Sequence, residues 1–145
     1  MGSSGVFSFP KEEKLHHRSL VERLFRHGKS FYEFPFRVTW NSLSEEELKQ
    51  NFRNKLPDNI GRLQIMVTVP KKKRKRAVDR VLMRRRIREA YRLNKETLKK
   101  GLEMACGVGT LSIAIVYIHD KNLPYKAVEE KMKALVSKMK EKIEL

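Results

Sequence analysis

A single cysteine, Cys106, means that no internal disulfide can form, and it points to a reducing cytosol as the compartment. No apolar stretch approaches the roughly 18 to 20 residues that a bilayer-spanning helix needs. The opening MGSSGVFSFP has neither the basic flank nor the apolar run of a secretory signal. A cytoplasmic protein with no membrane partner is therefore expected. Four histidines, His16, His17, His27 and His119, include no i, i+4 pair with a third ligand nearby, so no metal centre built by the chain is expected. GVGT, holding Gly107 and Gly109, leads into an apolar run of strand type and not into a helix N-terminus, which excludes a phosphate-cradling loop. Cys106 beside Gly107 reads as a small buried residue. No catalytic residue and no small-molecule substrate are expected of this chain.

Positive charge is what the sequence has in excess. Against 17 Asp and Glu stand 33 Lys and Arg, a formal net charge of +16 and a sequence pI of about 10.2. At 145 residues the chain is expected to form one domain over 1–145, with residues 1–14 as an extended N-terminal arm in which Phe7 and Phe9 stand close to Pro10. Such a charge repels itself, and nucleic acid is the commonest polyanion that compensates. The charge is also concentrated: residues 71–92 carry twelve basic side chains against Asp79 and Glu89.

Around that segment, the apolar pattern predicts an α+β fold in the order α-β-β-α-β-α. Leu20, Val21, Leu24 and Phe25 fall at helical spacing, and Gly28 stops this first helix as a C-terminal cap. Residues 34–40 alternate, with Phe34, Phe36, Val38 and Trp40 on one face and Pro35, Arg37 and Thr39 on the other, the period of a half-buried strand. A polar, acidic stretch follows, where Ser44 and Glu47 make a capping box for a short surface helix. Leu63, Ile65, Val67 and Val69 alternate in a second strand that runs straight into the basic segment. Residues 110–118, apolar on both faces, predict a strand in the middle of the sheet. A last helix after Pro124 places Tyr125, Val128, Met132, Leu135, Val136, Met139 and Ile143 on one stripe that covers the core.

The basic segment is a strand exit followed by a helix, so its charges are presented in order. On a wheel of about 100° per residue with Arg80 at zero, Met83, Ile87, Ala90, Tyr91 and Leu98 fall on one arc, which faces the core. Arg84, Arg88, Arg92, Lys95 and Lys99 fall on the next arc, with Arg85 at its far side and Arg80 at the border. Guanidinium forks match phosphate oxygens and stack on bases, so an arginine ridge favours nucleic acid over a generic anion. PKKKRKR, residues 70–76, also has the form of a nuclear import signal, but such a signal needs an exposed flexible segment and this string sits between a strand and a helix.

These residues carry a family resemblance. FPKEEKL, a first helix ending in LFRHGKSF, and a strand running into VPKKKRKRAVDR and RRRIREAYR together resemble the protein subunit of bacterial ribonuclease P over nearly the whole chain. The resemblance implies a small α/β sandwich with a left-handed βαβ crossover. It implies an RNA-binding subunit that partners ribonuclease P RNA and the 5′ leader of precursor tRNA and assists tRNA 5′ maturation. Catalysis is expected in the RNA, with Mg²⁺ bound chiefly through that RNA. RNA contacts are expected from Lys71, Lys72, Lys73, Arg74, Lys75, Arg76, Arg80, Arg84, Arg85, Arg88 and Arg92. Matching through the His-Gly at the end of the first helix places the leader-binding cleft at Val21, Phe25, Arg37 and Thr39. The helix departs from the family pattern at Val81 and Leu82, which stand where Asn and Arg are usual, so a polar contact expected there is missing. A ribosomal or RNA-assembly protein is the alternative reading of the same charge pattern, and the RNA that co-purifies would discriminate the two.

Overall fold

Alternation in the strands decides which helices lie on which side of one four-stranded sheet, ordered β1-β2-β4-β3. The computed structural model describes residues 11–53, 55, 60–104 and 108–142. A 3-10 turn (Lys11–Glu13) precedes α1 (Arg18–His27), β1 (Lys29–Glu33), β2 (Phe36–Leu43), α2 (Glu45–Asn51), β3 (Leu63–Thr68), α3 (Ala77–Asn94), α4 (Glu96–Met104), β4 (Thr110–Tyr117) and α5 (Tyr125–Lys142). Phe7, Phe9, Pro10, Cys106, Gly107 and Ile143 lie outside the described residues.

Strand β4 is buried along its whole length, as its two-sided apolar pattern predicts. It pairs antiparallel with β2 and parallel with β3. The chain leaves β3 and returns in β4 through α3 and α4, so a parallel βαβ crossover is present. Phe36, Val38 and Trp40 of β2, Ile65 of β3 and Ile113 of β4 point to one side, where α3, α4 and α5 close the larger core with Met83, Ile87, Tyr91, Met132 and Met139. Each such side chain contributes about 1.5 to 3 kcal/mol when fully buried. On the other side, Leu20 and Leu24 of α1, Leu48 of α2, Leu43 and Ala114 form a smaller cluster. This second cover is partial. One end of the sheet face stays open.

The expected elements are present, with several differences. Strand β1 was not anticipated: KSFYE buries one residue, Phe31, and a half-exposed edge strand has too little alternation to show in a pattern. Phe34 does not begin a strand. It sits in the two-residue turn joining β1 to β2 and is 54% exposed. The arm is not extended where it is described, since Lys11–Glu13 form a 3-10 turn. Lys14 then bridges to Ile65, and the Leu15 amide donates to the Ile65 carbonyl at 2.8 Å, guarding the outer edge of β3. Gly28 caps α1 with φ of −72°, a backbone any residue could adopt. Glycine is required there by space: a Cβ would lie 2.3 Å from the Leu24 carbonyl oxygen and 2.9 Å from the Trp40 carbonyl oxygen. The capping box of α2 forms as expected, Ser44 Oγ accepting from the Glu47 amide at 3.1 Å and Glu47 Oε1 from the Ser44 amide at 3.0 Å. Those bonds hold the Glu47 carboxyl below its ordinary pKa.

Candidate nucleic-acid interface

Strand β3 ends at Thr68, and Pro70 accepts from the amides of Lys73 and Arg74 at 3.1 and 3.0 Å, folding residues 71–76 into a compact turn before α3. The turn is pinned by its arginines. Arg74 Nη2 lies 3.1 Å from Asp79 Oδ2, its Nε donates to Asn122 Oδ1 at 2.8 Å, and its Nη1 donates to the Asp120 carbonyl. Arg80 Nη1 donates to the carbonyls of Arg74 at 2.9 Å and Lys75 at 2.7 Å. Two of the candidate RNA contacts therefore have their guanidinium groups engaged in shaping the segment. Arg92 is held as well, by Glu89 at 2.6 Å, and that donation keeps the Glu89 carboxyl below the usual carboxylate range.

The rest of the candidates remain available. Lys71, Lys72, Lys73, Lys75, Arg76, Arg85 and Arg88 are exposed and Arg84 is half-buried. Among the described residues, none of these eight forms an ion pair. The same helix turns Met83, Ile87, Ala90 and Tyr91 into the core, which fixes the direction of the cationic face. Between α3 and the start of α5 lies an open groove of about 470 Å³ lined by Arg85, Arg86, Arg88, Glu89, Arg92 and Tyr125. Arg86 was missed by the wheel reading. Its Nη1 donates to the Leu123 carbonyl, so it ties α3 to the loop before α5 while bordering that groove.

The ridge is shorter than the wheel places it. Lys95 is fully buried and bonds Glu13, while Lys99 donates to the other Glu13 oxygen at 2.8 Å. Lys95 also interrupts the helix, separating α3 from α4. The contact spans 82 residues, which no periodicity can register. Donation to Glu13 pushes the Lys99 ammonium above its ordinary pKa. Burial, with the Glu13 charge adding to it, likewise raises the Tyr91 hydroxyl.

A second feature lies on the α1 side of the sheet. The pairing register sets Tyr32, Arg37, Val116 and Thr68 in one row across the four strands. The two-residue period puts that row on the same face as Ala114 and Leu43, which α1 covers. Tyr32 is 63% exposed and Phe25, near the end of α1, is 52% exposed; Arg37 is exposed and Val21 half-buried. Thr39 is different. It is buried, and its hydroxyl shares a 3.0 Å hydrogen bond with Ser30 Oγ, so it is part of the floor. Tyr32 went unnoticed because β1 did; only the register places it opposite Arg37.

Among the described residues, no group of three or more His, Cys, Asp or Glu side chains could hold a metal ion, and no helix is long and apolar enough to cross a membrane. Fold and surface define the class: a small α+β protein with a polycationic helix packed on one side of its sheet and a partly open face on the other. The Ribonuclease P family model matches residues 9–140, and the chain belongs to that family. The ribonuclease P protein component of Porphyromonas gingivalis is 32% identical over 132 residues, 91% of this chain and 86% of that protein. The component from Dictyoglomus turgidum is 32% identical over 126 residues, 87% of each. In fold, the chain is similar to the ribonuclease P protein of Staphylococcus aureus, with a TM-score of 0.60 at 17% identity, covering 90% of this chain and 97% of that one. The Thermotoga maritima protein gives 0.59 at 19%, covering 87% and 96%.

Proposed function

We propose that this chain is the RNA-binding protein subunit of a ribonuclease P ribonucleoprotein. In that role it grips the catalytic RNA with the cationic face of α3 and residues 71–76, and guides the 5′ leader of precursor tRNA along the open sheet face beside α1. The observation that carries the reading is the set of exposed Lys71, Lys72, Lys73, Lys75, Arg76, Arg85 and Arg88 with half-buried Arg84, cationic groups with no carboxylate partner among the described residues. Arg74 and Arg80 act as positioning residues that hold this set in register. Phe25, Tyr32 and Arg37 offer two aromatic faces and a guanidinium to single-stranded RNA, the pairing that suits stacking and backbone contact. Val21 borders that sheet face and Thr39 supports its floor.

Catalysis in this reading belongs to the RNA partner. Mg²⁺ is held chiefly by RNA phosphates, since this face of the chain would repel a dication and offers no carboxylate cluster. The chain's own contribution is to neutralise phosphates where two RNAs meet. The test is reconstitution. Purified protein alone should leave precursor tRNA intact, and adding ribonuclease P RNA with Mg²⁺ should restore a single cut at the leader junction. RNA affinity should fall steeply with salt, each phosphate contact adding about 0.7 to 0.9 to the log-log slope. Arg84→Glu with Arg88→Glu should flatten that slope by up to about two contacts. Cleavage by protein freed of RNA, or an unchanged slope in the folded double variant, would overturn the proposal.

A further inference from the structure

Within the cationic face of α3 sits a patch of the opposite character. Val78, Val81 and Leu82 are 61%, 38% and 39% exposed. Their i, i+3, i+4 spacing stacks them on one side of the helix. Arg85 stands one turn further along the same line. Lys75 and Arg76 precede the patch and Arg84 flanks it. None of these four cations forms an ion pair among the described residues, and the carboxylate beside the patch, Asp79, is paired with Arg74, so the rim is net positive.

A cationic rim limits what can cover the apolar centre. A second copy of this chain would bring its own positive rim, and a net charge of +16 on each side opposes that contact. An RNA presents what the patch requires, with phosphates on either side and, wherever a nucleotide is unstacked, a broad apolar base face between them. Aliphatic side chains are known to take such positions against nucleic-acid bases. We infer that Val81 and Leu82, with Val78, form a seat for an unpaired base of the ribonuclease P RNA, while Arg84 and Arg85 hold its flanking phosphates. This rests on the proposed RNA role of α3 and adds a specific, salt-insensitive element to it. The two departures from the family pattern then constitute a different contact and not a lost one.

The experiment measures binding of this chain to in vitro transcribed ribonuclease P RNA from the same source across a salt series. Val81→Thr with Leu82→Asn keeps charge and approximate shape while making the patch polar. It should bind about tenfold more weakly, ~1.4 kcal/mol, at every salt concentration, with the log-log slope and thermal melt unchanged. Chemical probing should show one or a few nucleotides protected by the wild type and exposed with the variant. Val81→Asn with Leu82→Arg should steepen the slope by up to about one contact yet bind more weakly than wild type at high salt. If the Thr/Asn variant binds like wild type while Arg84→Glu with Arg88→Glu flattens the slope, the seat is refuted and the RNA reading stands. If the wild type shows no salt-dependent binding to this RNA, both fall. A wild type that self-associates in sedimentation, with the Thr/Asn variant monomeric, would assign the patch to a second copy and overturn the inference.

Discussion

Glu13 is the position where a single substitution should report most clearly on how the chain is assembled. Its carboxylate is buried, accepts from Lys95 and from Lys99 at 2.8 Å, and joins the N-terminal turn to the junction of α3 and α4. Glu13→Gln keeps the volume but removes the charge, leaving the Lys95 ammonium in the interior without this carboxylate. Breaking a buried pair from one side costs about 3 to 5 kcal/mol, a large share of the roughly 5 to 15 kcal/mol typical of a domain. Lys99 is partly exposed and can turn to solvent, so Lys95 carries the penalty. Urea denaturation should show the midpoint falling at unchanged m-value. Adding Lys95→Met should recover much of the loss, because the cost of desolvating the second charge goes with it. A Glu13→Gln protein within about 1 kcal/mol of wild type would refute this account of the triad.

The same geometry sets further expectations. Gly28→Ala should destabilise by more than the ~1 kcal/mol typical of a point substitution, because its Cβ meets backbone oxygens of both α1 and β2. It should also weaken leader binding by tilting α1, checked by denaturation and by comparing substrates with and without a leader. Arg74→Ala should lower RNA affinity with little change in salt slope, since its guanidinium holds Asp79 and Asn122; a slope reduced as much as in an Arg88→Ala protein would make it a phosphate contact instead. Tyr32→Ala should weaken binding of leader-bearing precursor while leaving mature tRNA and ribonuclease P RNA unaffected, and equal losses for all three would remove it from the leader-binding face. Burial pushes the Tyr117 hydroxyl from 10.0 up to about 12, and Tyr91 and Lys99 are raised as well. A raised folded value means that the stabilisation is complete below pH 10 and is lost as pH rises from about 10 to 12. Melting temperature should therefore fall across that window, and a flat profile would contradict the burial of these groups.

Much of the architecture was legible in the chain because it is written in short-range periodicity. Two-sided apolar character placed β4 in the middle of the sheet, the stripe of α5 marked a core cover, and Ser44 with Glu47 announced a helix start through contacts three residues apart. The direction of the basic helix was legible too, since the residues that bury one side of α3 leave its arginines on the other. What the pattern could not register was any contact between distant segments. Lys95 looks like one more cation of the ridge until Glu13, 82 residues away, draws it inside. Arg74 and Arg80 look like phosphate ligands until the turn that they hold is folded.

The site divides in the same way. Sequence by itself determined that a concentrated, predominantly cationic arginine helix would project from an α+β core, because burial of Met83, Ile87 and Tyr91 dictates where the remaining side chains point. Only the tertiary structure decided which cations remain available and that Tyr32 faces Arg37 across the hairpin. It also showed that Thr39 is floor and that Val78, Val81 and Leu82 gather into one exposed patch. The physical reason is that exposure and pairing depend on what packs above a residue, and in this protein the arm, the β1–β2 register and the loop before α5 supply that cover from far along the chain.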